Sequence, residues 1–192
     1  MAEYDNILDN ITARAEFRAW LEEHAQTERE CYVVVKRGNP VNCSGILPYL
    51  DAVEEALCFG WIDSTVRPIG EKRYQRFSPR RSGSNWTELN KERVRRLERL
   101  GLMTDAGRAA LPREMDASHF VVDAEIEEAL REAGAWDKFC AMPALYQRVR
   151  SSNLVAKKGY DPAGYGKSLA RFVGETRKGR MYGDWDDYGR LG

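Results

Sequence analysis

The sequence predicts an α+β fold: a small antiparallel β-sheet of about three strands packed with helices, followed by a helical C-terminal half. Three observations carry this. β-branched and aromatic runs suited to strands fall between residues 31 and 79. Beyond that stretch, apolar residues recur at helical spacing. Glycine and proline punctuate the joins between segments and leave no long linker, repeat or low-complexity tract. The expected organisation is an α+β core over 1–112 and a helical region over 113–192 packed on it as one compact unit.

In chain order, Thr12 caps a first helix, TARAEFRAWLEEH, with Phe17, Trp20, Leu21 and His24 along one side. His24 reads as a helix-terminal or packing residue. CYVVVKR is a strand that stops at Gly38-Asn39-Pro40. In the loop that follows, Cys43 and Ser44 have no basic partner nearby in sequence. Asp51 with Glu54 forms a capping box for AVEEALCF, whose Val53, Ala56 and Leu57 face inward and whose end is set by Gly60. Cys58 reads as a small core residue. WIDSTVRPI and KRYQRFS then form a hairpin around Gly70-Glu71, with Pro68 marking an edge or a strand end. Strict alternation puts Trp61, Asp63, Thr65 and Arg67 on one face, and Ile62, Ser64 and Val66 on the other.

SPRRSGSNW is a loop, and TELNKERVRRLERL a helix with Trp86, Leu89, Leu97 and Leu100 along one side and Arg95, Arg96 and Arg99 solvated. TDAGRAALP is a short helix ended by Pro112. DAEIEEALREAG, AWDKFCA, PALYQRVRSSNLVAKK and PAGYGKSLARFVGETRK are helical, the last opening with Asp161 as cap and Pro162 in the first position. Its Tyr165, Leu169, Phe172, Val173 and Thr176 make a core stripe. The aromatic tail MYGDWDDYGRL is expected to dock on the body.

Composition narrows the function classes. The chain has 192 residues, 43% hydrophobic and 31% charged, with formal net charge zero, so overall charge argues for neither nucleic acid nor membrane. Charge is zoned, however, with a basic stretch over 71–100 and an acidic one over 114–132. No apolar run is long enough for a membrane span, and the acidic start MAEYDNILDN does not read as a signal peptide. Four scattered cysteines without CxxC spacing and two histidines advertise neither a disulfide framework nor a metal site. The expectations are therefore a cytoplasmic protein with no metal and no cofactor. Gly166-Lys167-Ser168 is not a phosphate loop, because position 161 is Asp where that loop needs glycine, and the segment opens a helix around Pro162. Paired carboxylates such as Glu54-Glu55 read as helix-surface features.

ALCFGWIDS (56–64), RFSPRRSGSNWTELN (76–90) and RLERLGLMTDAGRAAL (96–111) together resemble the YdeI/OmpD-associated family, also described as bacteriocin-protection proteins. The resemblance implies a compact α+β protein and a role in tolerance of antimicrobial peptides or bacteriocins. It brings no catalytic residues.

The residues themselves suggest a non-catalytic binding protein for a small anionic or aromatic ligand. Arginine forks fit phosphate or carboxylate, and indole rings offer flat apolar surface. The candidate site comprises Trp61 and Trp86 as walls, Arg76, Arg80 and Arg81 for the anion, Asp63 and Asn90 for orientation, and Lys36 for added charge. Asp63 is equally suited to a structural pairing with Arg76 or Arg80. Two other readings stand beside this one: nucleic-acid association through basic segments 72–100 and 147–180, and a small-molecule enzyme with Asp63 as acid or base.

Overall fold

The computed structural model describes residues 4–191. The chain divides into two compact units. The first takes the chain up to Ser84 together with Arg93–Arg113; the second takes Asn85–Glu92 and the chain from Glu114 onward.

The first unit is α+β. Its main sheet holds β1 (Ile7–Leu8), β2 (Cys31–Val33), β5 (Trp61–Ile69) and β6 (Lys72–Pro79) in the order β1-β2-β6-β5. β1 runs parallel to β2, and the other pairings are antiparallel. The sheet therefore has four strands, not three, and is mixed. A second, two-stranded parallel sheet joins β3 (Val35–Lys36) to β4 (Leu47–Pro48). The run CYVVVKR is thus split at Val34 between two sheets, because β2 pairs with β6 while Val35 pairs with Leu47. Pro68 lies on β5, an edge strand, where its missing N–H need not break a ladder on both sides.

Helices α1 (Arg14–His24) and α2 (Tyr49–Cys58) build the core of this unit on one face of the sheet. Phe17 and Leu21 on α1 and Val53, Ala56 and Leu57 on α2 are fully buried. Phe17 meets Phe77 of β6 at 5.3 Å between ring centroids. Each large apolar side chain buried this way contributes about 1.5–3 kcal/mol.

α2 starts three residues earlier than the capping-box reading places it, with Pro48 as N-cap and Asp51 already inside the first turn. Glu54 does not reach back to the backbone, because its carboxylate accepts from Arg14 at 2.6 Å and from Arg96 at 2.9 Å. Glu55 beside it takes Arg14 and, at 2.9 Å, Arg18. The two carboxylates expected at the surface are 0% and 1% exposed. Burial works against the charge on Arg14, but Glu55 and Glu54 outweigh it and hold its pKa above the ordinary value. Arg96, expected in solvent, is part of this network, whereas Leu100 of the expected apolar stripe is 53% exposed.

Helix α4 (Asp105–Ala109) closes on the C-terminal end of α2. Thr104 caps α4 through Gly107, and both its amide and its hydroxyl donate to the carbonyl of Cys58. Contact is so close that a Cβ at Gly107 would stand 2.2 Å from that carbonyl oxygen. Gly60, at φ +76°, makes the turn from α2 into β5. Cys58 is a core residue, its thiol pushed up to about 12 by burial, with Glu55 adding and Arg18 opposing.

Helix α3 (Glu88–Arg99) contributes its first residues to the second unit and the rest to the first. The second unit is otherwise helical: α5 (Ala124–Glu132), α6 (Trp136–Cys140), α7 (Ala144–Tyr160) and α8 (Pro162–Arg177). Its core is apolar and aromatic. Ile126, Leu130, Phe139, Tyr146 and Phe172 are fully buried, and Phe139 meets Phe172 edge-on at 5.7 Å. Asp161 accepts from the Gly164 amide to cap α8, with Pro162 following. Gly166-Lys167-Ser168 lies within α8. The C-terminal tail docks on this unit: Trp185 meets Tyr146 edge-on at 5.5 Å, and the Tyr182 ring receives the Arg150 guanidinium at 4.1 Å.

Candidate anion-binding site

The register of the β5–β6 hairpin decides where the arginines of the first unit point. Asp63 pairs with Phe77, and Val66 with Gln75, with a bulge between Asp63 and Val66. An extra residue in one strand reverses its alternation. Before the bulge, Trp61 and Asp63 face the helices. After it Val66 takes that side, and Arg67, paired with Tyr74, turns to the outer face. The expectation that Asp63 and Arg67 share a face is corrected by this single residue.

Arg67 thereby joins Arg76, whose register partner is Tyr32, on the outer face. Ser64 sits in the bulge, its Oγ accepting from Arg76 at 3.1 Å. Arg76 also donates to Glu30 at 2.6 Å, and Tyr32 donates to the same carboxylate at 3.0 Å. Burial works against the charge on Glu30, but the hydrogen bonds from Arg76 and Tyr32 prevail and hold its carboxyl below the ordinary value.

Two recesses meet along this pair. One, of about 550 Å³, is lined by Tyr4, Tyr32, Ser64, Thr65 and Arg67 together with Glu30 and Arg76. The other, of about 510 Å³, is lined by Asp5, Arg29, Ser78, Pro79 and Arg81 with the same Glu30 and Arg76. They form one two-lobed groove on the outer face, carrying four arginines against two carboxylates. Arg29, Arg67 and Arg81 are exposed and make no ion pair among the described residues.

The residues expected to form one site are dispersed. Arg76 and Arg81 line the outer groove. Trp61 is 1% exposed, its indole N–H donating to the Ala25 carbonyl at 3.2 Å and its ring meeting Trp20 edge-on at 5.9 Å. It provides core, not a binding wall. Asp63, on the helix-facing side, accepts from the Tyr49 hydroxyl at 2.6 Å. Burial pushes Tyr49 up to about 12, with Asp63 adding and Arg37, stacked on the ring at 3.7 Å, opposing. Burial also pushes the Arg80 guanidinium down to about 10, against the nearby charge of Asp63. Lys36 is exposed and donates to the Asn42 carbonyl. Trp86 and Asn90 belong to the second unit, both half-buried, with the Asn90 amide donating to Thr87 Oγ1.

Arg67 and Arg29 were missed by sequence reasoning. A bulge leaves no mark in a period-two pattern, and Arg29 lies in the turn before β2 with nothing adjacent to announce its direction. The basic segments are largely self-neutralised. In 72–100, Lys72 pairs with Asp9, Lys91 with Glu88 and Arg96 with Glu54. In 147–180, Arg148 pairs with Glu92, Lys158 with Glu125 and Arg180 with Glu175. Among the described residues, no group of three or more His, Cys, Asp or Glu side chains is placed to hold a metal ion. Nor is any helix among them long and apolar enough to cross a membrane.

The fold and the groove define an α+β module with an arginine-lined sheet face. The chain belongs to the family described as a domain of unknown function, DUF8412, which matches residues 10–110, just over half of its length. No curated protein and no solved structure matches it.

Proposed function

We propose that this protein binds a small anionic ligand, without catalysis, in the outer groove of its first unit. The observation that carries this reading is the set of three exposed arginines, Arg29, Arg67 and Arg81, that face one groove without an ion-pair partner among the described residues. A guanidinium presents paired donors that fit phosphate or carboxylate bidentately, and an unpaired one has no internal competitor for that role. The motif resemblance to YdeI/OmpD-associated proteins adds a setting, tolerance of antimicrobial peptides, in which such a ligand would be held. Nucleic acid fits less well: of the two rings lining the groove, Tyr32 is 4% exposed and Tyr4, half-buried, packs edge-on against it, which leaves no run of open rings for successive bases.

The test is NMR titration of the intact chain with inorganic phosphate and with mononucleotides. Shifts should concentrate on β5, β6 and Arg29, and Arg67→Ala or Arg81→Ala should weaken binding roughly tenfold. Asp63→Asn should leave it unchanged. Shifts confined to other surfaces, or insensitive to both arginine variants, would remove the proposal.

A further inference from the structure

The distribution of charge within the groove says more than its sum, provided that the anion-binding reading holds. At the junction of the two lobes, Arg76 is neutralised by Glu30, and Tyr32 holds the same carboxylate. The arginines outside that pair lie at the two ends: Arg67 in one lobe, Arg29 and Arg81 in the other, where two guanidiniums outnumber the single carboxylate of Asp5. A single compact anion at the centre would meet a satisfied ion pair and the Glu30 carboxylate. An anion at either end meets a guanidinium outside any ion pair among the described residues, although the charge of Arg67 also acts on Glu30.

The ends are well separated. Arg67 lies level with Tyr74 on β6, and Arg81 comes two residues after that strand ends at Pro79. At about 3.4 Å per residue, Tyr74 to Pro79 alone covers roughly 17 Å. Beside the Glu30–Arg76 pair the junction carries hydroxyls, Ser64 from the bulge on one side and Ser78 on the other, with Asp5 the one further carboxylate lining the groove. Ser78 stands 3.4 Å from Arg76, which ties the junction to both lobes.

We infer that the ligand is a small elongated dianion, with two phosphate or carboxylate groups separated by a hydrogen-bonding, uncharged middle, that spans both lobes in one copy. Each end is a weak site on an open surface. Joining the two anions makes the second contact intramolecular, so affinity rises by about 100-fold or more when the linker matches the span. A linker too short reaches only one lobe and gains nothing.

The experiment is calorimetric titration of the full chain with methylphosphonate and with a series of alkane diphosphonates of increasing length. Methylphosphonate is expected to bind weakly, and the diphosphonates to tighten by about 100-fold at one intermediate-to-long length with a stoichiometry of one. Arg67→Ala and Arg81→Ala should each reduce that ligand to the affinity of methylphosphonate. If methylphosphonate binds the groove but no diphosphonate binds more tightly, or if only one of the two arginines matters, the dianion inference falls while anion binding stands. If no probe binds the groove at any length, both fall.

Discussion

The two units solve the same problem of burying helices by different chemistry. In the first, the apolar core of Phe17, Leu21, Val53, Leu57 and Leu97 is bordered by a buried charge network that ties α1, α2 and α3: Glu54 and Glu55, almost wholly removed from solvent, hold Arg14, Arg18 and Arg96. In the second, the helices meet through Phe139, Phe172 and Tyr146; Glu175–Arg180 lies at the surface, and the more buried charges, Glu88 and Glu92, meet Lys91 and Arg148. A buried ion network contributes little net attraction after desolvation, but losing one partner strands a buried charge. An apolar core responds to changes of volume, a charged one to the loss of a partner. The first unit, which carries most of the family match, holds the most deeply buried carboxylates, Glu54 and Glu55 at 0% and 1% exposed, and is the less forgiving to substitution there.

The strongest way to break this comparison is Glu55→Ala, which removes the carboxylate shared by Arg14 and Arg18, leaves them only Glu54 and Glu22 respectively as close acidic partners, and should cost about 3 kcal/mol in urea unfolding. Glu55→Gln, similar in volume but uncharged, should lose most of the same stability. If it is neutral, shape rather than charge matters there. Hydrogen exchange should show α1 and α2 opening more readily while α7 and α8 keep their protection; equal loss in all four would erase the distinction. Gly107→Ala comes next, at about 2–3 kcal/mol, since its Cβ would collide with the backbone carbonyl of Cys58 and force α4 off α2. In the second unit, Asp161→Ala removes a helix cap and should cost about 1 kcal/mol by thermal unfolding.

The smallest effect sharpens the surface side of the comparison. Hydrogen bonding from Arg180 depresses the Glu175 carboxyl from 4.5 to about 2, with Lys178 adding and burial opposing. Because the folded value lies below the unfolded one, the contribution is present above about pH 4.5 and is lost as pH falls through about 2. A carboxylate NMR titration should find that low midpoint, and Arg180→Ala should move it back towards 4.5. A midpoint that stays low in the variant would mean that another group holds the charge.

Much of the local architecture was legible. The hairpin, the edge role of Pro68, the Asp161-Pro162 helix start and the core stripe of α8 follow from turn chemistry and periodicity over a few residues. The motif ALCFGWIDS and the later run TDAGRAAL make sense as one packing event, since Cys58, Gly60, Thr104 and Gly107 all serve the contact of α4 with α2. Their specificity is that of a close fit. Glu54 and Glu55, by contrast, read as surface residues because nothing in VEEAL says that three arginines from distant positions will meet them. The candidate site was legible only in part: Arg76 and Arg81 line the groove, Trp61 seals the core, and Arg67 and Arg29 gave no signal.

The sequence by itself determined the α+β class, the hairpin, the helical second half and the Asp161-Pro162 start of α8, while the caps it placed at Thr12 and Asp51 fall instead on Ala13 and Pro48. These rest on propensities and hydrogen bonds between near neighbours in the chain. Only the tertiary structure decided which face each arginine of the hairpin occupies and which carboxylates are buried. A one-residue bulge reverses the direction of every side chain after it. The fate of a charge depends on partners brought close by folding, as Glu54 and Arg96 are from 42 positions apart.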